Sequence, residues 1–244
     1  IHIKLDTGMH RLGFEADTIQ ELIQTLKGNQ RVLVKSILSH MATSDASEHK
    51  DFSLSQLRLF DAMSNQLMNE LSIQPLRHIL NTSGISNFPE GQYDMVRLGI
   101  GLYGVSNDAE EQKYLENVST LKSVISQIRT VPAGDSVGYG RRFMAAKPTV
   151  VATIPIGYAD GISRLWGNGS GYVTVNKQKA IILGSVCMDM LMVEVTGIDC
   201  SEGDDVIVFG ESPTVIEIAE KTQTIPYEIL TSISQRVKRV FYRE

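Results

Sequence analysis

Apolar residues follow one pattern up to about Leu115 and another beyond it, and no other feature of the sequence restricts the fold as much. In the first stretch, β-branched runs alternate with segments of helical period. Ile1, Ile3 and Leu5 predict a strand over 1–5. Asp17 to Lys27 predicts a helix, with Asp17 as its N-cap and Ile19, Leu22, Ile23 and Leu26 on one face. "VLVKSILSH" (32–40) predicts a second strand and Ser53 to Leu71 a long helix. "LRHIL" (76–80) and "DMVRL" (94–98) predict two more short strands. Strand and helix alternating in units of roughly 30 residues imply parallel βα units. Four such units are half of a (β/α)8 barrel, which needs about 250 residues when complete. A half barrel leaves strand edges unpaired. Together with a start inside a strand, this predicts that the chain is the later part of something larger.

Beyond Leu115 the runs are short and β-rich: 124–131, 148–156, 171–176, 179–184, 192–197 and 204–210, punctuated by Gly or Asn. Helices are expected at 215–221 and 227–234. The expected class is therefore α/β plus β: a partial barrel over residues 1–115 and a mostly antiparallel β domain over 116–244. The acidic stretch 106–117 is the expected link.

Composition narrows the function. A net charge of −5 without a basic patch argues against nucleic acid. No apolar run reaches the roughly 18–20 residues of a membrane helix. Cys187 and Cys200 make no disulfide or zinc framework, so no metal site is expected and a reducing cytoplasm is the default. The three Asn-X-Ser matches, at Asn81, Asn117 and Asn168, read as chance.

Ligands of parallel sheets bind beyond the carboxyl ends of the strands. The polar groups there are Asp6 to Arg11, His40, Asn81 with Thr82, and Arg97 with Gly99. Any one of them could be a cap, a turn or a satisfied core residue; four successive strand ends so furnished point to a site. Arg97 stands where a buried strand wants an aliphatic residue, so it must face a ligand, a carboxylate or solvent. "GIGLYG" (99–104) matches the dinucleotide pattern G-x-G-x-x-G, but no amphipathic helix follows, and Gly99 serves better to let backbone N–H groups approach a phosphate. In the second half, Tyr139 lies between glycines in "DSVGYGRRF", while "IPIGYADGISR" and "GSVCMDM" mix buried-type residues with Tyr158 and Asp189. No His neighbours Cys187 in sequence, so its thiol reads as structural.

"KLDTGMHRLGF", "SHMATSD", "NTSGIS", "VRLGIGLYG", "VGYGRRF", "IPIGYADGISR", "VCMDM" and "PYEILTSISQRVKRVF" resemble, in order and from end to end, consecutive blocks of the pyridoxal-phosphate-dependent alanine racemases. The resemblance implies a (β/α)8 barrel with a β-rich C-terminal domain, in a homodimer with shared active sites, interconverting L- and D-alanine for peptidoglycan precursors. In some sequences this domain is fused behind a muramoyl-peptide ligase. The block that carries the cofactor-anchoring lysine, similar to "VVKANAYGHG", does not occur here. The chain therefore resembles the last two-thirds of a racemase, and by itself it is expected to be inactive without the missing N-terminal half.

The resemblance also assigns roles. Racemisation needs a proton removed from one face of Cα and returned on the other, which two bases do more simply than one. One base is the absent lysine; the other is Tyr139, which serves the site of the other subunit. A phenol titrates at about 10 in water, so a phenolate base needs positive neighbours, and His40 and Arg11 match residues that flank it. Arg97 matches the arginine facing the pyridine nitrogen. Because Arg keeps its proton, the ring nitrogen stays unprotonated, which disfavours transamination. Asn81, Thr82, Gly99, Ile100 and Tyr227 match the cofactor cradle. Arg11 and the Met188 N–H match the holders of the substrate carboxylate, and Tyr158 and Asp189 match the entrance. Lys4 falls where some members carry a carbamylated lysine. Thr82 for the commoner Ser, "PYE" for "NYE" and "VGYG" for "VSYG" depart from the pattern without removing a key group. A racemase of serine or lysine, and a non-catalytic binding domain on the same scaffold, are the rival readings.

Overall fold

The computed structural model describes residues 1–29, 31–106 and 108–242. These form two compact units, Ile1–Glu116 and Asn117–Glu244.

In the first unit, β1 (His2–Lys4), β2 (Ser36–Leu38) and β3 (Leu76–His78) pair in that order, all parallel. Paired residues share a face and successive residues alternate between faces. The register Ile3↔Ile37↔Arg77 puts these three on one side, and Lys4, Leu38 and His78 on the other with His2, Ser36 and Leu76. Helices α1 (Ile19–Lys27) and α2 (Lys50–Leu71) cover the first side. Ile19 and Ile23 of α1, and Phe60 and Leu67 of α2, join Ile3, Leu5 and Ile37 in one buried cluster. Each such side chain contributes about 1.5–3 kcal/mol by leaving water. The opposite face is polar: Ser36 Oγ lies 2.8 Å from His2 Nδ1 and 3.1 Å from His78 Nε2. A face that sets His2, Lys4, Ser36 and His78 beside Leu38 and Leu76 does not seal a core, so the site begins there.

Several expectations need correction. Residues 94–98 form no strand. Tyr93 turns at φ 43°, and the segment meets the β3 region at separated points, Asp94 N–H to Arg77 O (3.2 Å) and Arg97 N–H to Leu80 O (3.1 Å). Among the described residues the sheet therefore has three strands, not the four of a half barrel. Asp17 does not cap α1; it lies inside a 3-10 turn, Ala16–Thr18, that precedes the helix. The long helix starts at Lys50, ahead of Ser53, whose buried hydroxyl meets Thr43 Oγ1 at 2.9 Å. Two short helices follow: α3 (Thr82–Asn87), and α4 (Ala109–Gln112), capped by Asp108 within the stretch expected as a link.

The second unit holds β4 (Leu121–Val124), β5 (Gln127–Val131), β6 (Ser136–Val137), β7 (Phe143–Met144), β8 (Thr149–Ile154), β9 (Tyr172–Val175), β10 (Gln178–Leu183), β11 (Leu191–Glu194), β12 (Asp205–Phe209), α5 (Val215–Lys221) and α6 (Pro226–Ser232). Seven of these strands pair antiparallel in the order β4-β12-β9-β10-β11-β8-β5. The single strand expected over 124–131 is two strands, on opposite edges. The chain changes edge between adjacent residues: Ile125 N–H bonds Asp204 O, and Ser126 N–H bonds Thr153 O. Two edges joined by one peptide must meet, so the sheet curls around Trp166, Val173, Val175, Ile182, Val193 and Val206, all essentially buried. The β6–β7 hairpin pairs as a separate two-stranded sheet, packs Val137 and Phe143 against Val131, Val151 and Leu183, and carries Tyr139 in its turn. Among the described residues no helix is long and apolar enough to cross a membrane.

Candidate functional site

Beyond β1 and β2, a buried polar network shapes the loops that carry Arg11 and His40. Gln56, fully buried on α2, accepts from Ala42 N–H (2.9 Å) and donates to His40 O (3.2 Å) and Thr7 Oγ1 (3.3 Å). Thr7 Oγ1 meets Ser39 Oγ at 2.8 Å, and Ser39 Oγ donates to Leu5 O at 2.8 Å. Asp6 Oδ1 accepts from the N–H groups of Gly8 and His10, each at 3.0 Å, and closes the loop ahead of Arg11.

Arg97 reaches over these strand ends. Its Nη2 donates to Ser39 O (2.6 Å) and Ile79 O (3.0 Å) and lies 3.3 Å from His40 Nδ1. Its Nη1 donates to His78 O (3.3 Å) and lies 2.5 Å from His78 Nδ1. These acceptors are neutral, so the guanidinium charge is not cancelled. Burial, then Arg97 and His2, hold His78 down at about 4, so it is neutral at pH 7. With Nδ1 accepting from Arg97, the hydrogen-bond network assigns the His78 proton to Nε2, which donates to Ser36 Oγ. His40 is lowered by burial, then by Arg97, Arg11 and Lys4. Lys4 is lowered by burial and by Arg11 and Arg97, against an opposing pull from Asp6. Lys4 and His40 thus both lie within reach of the Arg11 and Arg97 charges, an arrangement that favours an anion.

His78 makes stability pH-dependent. Its folded value lies below the ordinary 6.5, so the unfolded chain takes up the proton first. The contribution is complete above about 6.5 and is lost as pH falls towards about 4, amounting to about 2 kcal/mol after allowance for solvent screening. Urea titrations at pH 7 and pH 4.5 are expected to show this loss, and His78→Gln is expected to flatten it. A slope unchanged in that variant would assign the loss to other groups.

Alongside, Asn81 Oδ1 caps α3 by accepting from Gly84 N–H (3.1 Å), and itself receives Ser44 Oγ–H (2.7 Å). Thr82 Oγ1 accepts from the N–H groups of Gly99 (2.9 Å) and Gly101 (3.4 Å). A Cβ on Gly101 would lie 2.9 Å from Thr82 Cγ2, so only glycine allows this approach. The segment Ile100–Tyr103 is a single 3-10 turn, not the helix a dinucleotide loop requires. Among the described residues the Ile100 N–H has no hydrogen-bond partner.

In the second unit, Tyr139 is 77% exposed, on a turn whose bends at Gly138 (φ 75°) and Gly140 (φ 68°) suit glycine. Tyr158, Met188 and Asp189 come together: Tyr158 N–H bonds Cys187 O and Ala159 N–H bonds Met188 O, both at 2.9 Å. Cys187 is raised by burial and donates weakly to Ser185 O, consistent with a structural thiol. Tyr227 lies in the first turn of α6. Sequence reasoning missed Gln56, His78 and Arg236. His78 had a usable signal, a histidine at an alternating position of a predicted strand; the other two had none.

The chain thus joins a parallel α/β unit with cationic strand-end loops to a second unit built on a curled antiparallel sheet. The family of the alanine racemase N-terminal domain matches residues 1–107, and that of the alanine racemase C-terminal domain matches residues 118–241. Alanine racemase 2 of Caldanaerobacter subterraneus subsp. tengcongensis is 39% identical, over 99% of this chain and 64% of its own length. The alanine racemase of Helicobacter pylori J99 is 38% identical, over 99% and 67%. Among solved structures, alanine racemase of Streptomyces coelicolor A3(2) superposes with a TM-score of 0.92 at 30% identity, over all of this chain and 66% of its own. That of Bartonella henselae, solved with covalently bound pyridoxal phosphate, gives 0.85 at 34%, over 98% and 66%. The chain spans about two thirds of the relatives it matches. It belongs to the alanine racemase family.

Proposed function

We propose that this chain is the larger part of a pyridoxal-phosphate-dependent enzyme that interconverts L- and D-alanine in the cytoplasm for peptidoglycan precursors. Its parallel strands are then part of a (β/α)8 barrel, and the enzyme works as a homodimer with shared sites. The observation that carries the reading is the uncancelled Arg97 guanidinium, held by neutral acceptors beside the Thr82–Gly99–Gly101 cradle.

These residues fit the cofactor. Arg97 suits the pyridine nitrogen, while Thr82 and the Ile100 N–H suit the phosphate, with Asn81 beside them and Tyr227 added by resemblance. When bound, the cofactor supplies an electron sink for charge developing at Cα. Arg97 is lowered by burial, but a guanidinium starts so high that it stays protonated at neutral pH. It therefore offers the ring a hydrogen-bond donor and not a transferable proton. Arg11 and the Met188 N–H hold the substrate carboxylate, with Tyr158 and Asp189 at the entrance. Tyr139 moves the proton on one face of Cα, and a lysine outside these 244 residues serves the other. Lys4, pushed down by burial and Arg11, falls where some members of the family carry a carbamylated lysine, and such an anion would offset Arg11.

The test is isotopic racemisation of alanine by an enzyme carrying this chain with its lysine-bearing segment, against serine and lysine as competitors. A higher kcat/KM for either competitor would sink the alanine reading. A polypeptide of these 244 residues alone, supplied with pyridoxal phosphate, is expected to give no turnover. Clear turnover would remove the two-base assignment.

A further inference from the structure

Arg236 joins two loops separate in sequence. Its Nε donates to Asp160 Oδ1 and its Nη2 to Asp189 Oδ1, both at 2.6 Å. Asp160 Oδ2 accepts from Gly157 N–H at 2.8 Å, so one carboxylate ties the arginine to the turn that carries Tyr158. Burial works to raise Asp160, but the bonds from Arg236 and Gly157 outweigh it and the net shift is downward. The tail that presents Arg236 is itself anchored, by Ser234 N–H to Asp160 O (3.0 Å) and by Arg239 to Ile233 O and Ser234 O (2.8 Å each).

The loop 187–190 has few other supports. Cys187 N–H bonds Met190 O, and the carbonyls of Cys187 and Met188 receive Tyr158 and Ala159. Among the described residues the Met188 N–H has no partner. Turn and loop touch through their backbones: a Cβ on Gly157 would lie 2.3 Å from Cys187 O and 2.4 Å from Met188 O. Displacing either loop therefore displaces Met188. The Arg236 side chain is 48% exposed, and exposed ion pairs contribute little to stability. What a planar guanidinium with two fixed arms does supply is geometry.

We propose that Arg236 is a positioning residue that locks the loop of Asp189 to the turn of Asp160 and so aims the Met188 N–H at the substrate carboxylate. This rests on the role given to Met188 above. The test uses the full enzyme carrying this chain, as wild type, Arg236→Gln, Arg236→Lys, Asp189→Asn and the double variant Arg236→Gln/Asp189→Asn. Arg236→Gln is expected to raise KM for alanine roughly ten-fold with kcat within about three-fold, because the grip on a carboxylate that exchanges no proton is weakened while the groups that move the proton stay in place. Arg236→Lys should recover only part of the loss. Asp189→Asn should resemble Arg236→Gln, and the double variant should add little. Independently of turnover, amide exchange over 187–190 should quicken in Arg236→Gln while β11 stays protected. Unaltered exchange overturns the lock whatever the reaction. Faster exchange with an unchanged KM, or a loss confined to kcat, overturns the link to substrate. A wild-type enzyme inert towards alanine overturns the underlying role of Met188, and this proposal with it.

Discussion

Replacing Tyr139 by phenylalanine is expected to lower turnover of alanine about 10²–10⁴-fold, the usual loss when a positioned acid–base group is removed. The fold should not notice. The side chain is 77% exposed, and deleting an exposed hydroxyl shifts stability by no more than about 0.5 kcal/mol. Steady-state rates in both directions and urea midpoints, measured on an enzyme that carries this chain with its lysine-bearing segment, check the two halves together. A variant that keeps more than about a tenth of wild-type turnover would exclude Tyr139 as a base. A large drop in midpoint would instead make the residue a support of the β6–β7 turn.

Arg97→Leu is expected to damage stability and activity alike. The guanidinium donates to Ser39 O, His78 O and Ile79 O and bonds His78 Nδ1, so leucine leaves Ser39 O, Ile79 O and His78 Nδ1 without their donor, while His78 O keeps the Ser39 N–H. Each buried acceptor so orphaned costs about 1–3 kcal/mol, and partial relaxation towards water brings the expected total to about 3 kcal/mol. Arg97 is also the second cause of the lowering at His78 and at His40, after burial. Both imidazoles should therefore titrate higher in the variant, His78 moving up from about 4 towards the ordinary range. NMR titration of the histidine ring protons reads this directly. Arg97→Lys restores the charge without the two-armed reach, so the histidine values should fall back while the stability is only partly recovered. Unmoved histidine titrations in Arg97→Leu would show that burial alone sets them.

Much of the architecture was legible before the structure. Ile3, Leu5, Ile19, Ile23, Phe60 and Leu67 follow the strand and helix periods, and they form the buried cluster of the first unit. Helix 215–221 needed no revision. The misreadings occurred where an apolar pattern is necessary but not sufficient. Residues 94–98 are apolar enough for a strand, yet Tyr93 turns the chain and the segment makes isolated contacts in place of a ladder. Over 124–131 one continuous pattern spans two strands, because nothing in a pattern of alternation says which partner each residue will find.

The sequence by itself determined the family and the two kinds of unit, because ordered motif blocks and hydrophobic periods are local properties that need no partner to be read. Only the tertiary structure brought out Gln56, His78 and Arg236, whose partners lie far away in the chain: Gln56 with Thr7, 49 residues distant, and Arg236 with Asp160, 76 residues distant. A polar side chain carries no mark of the group it will meet, since a hydrogen bond is decided by distance and direction in space, and those exist only once the chain has folded.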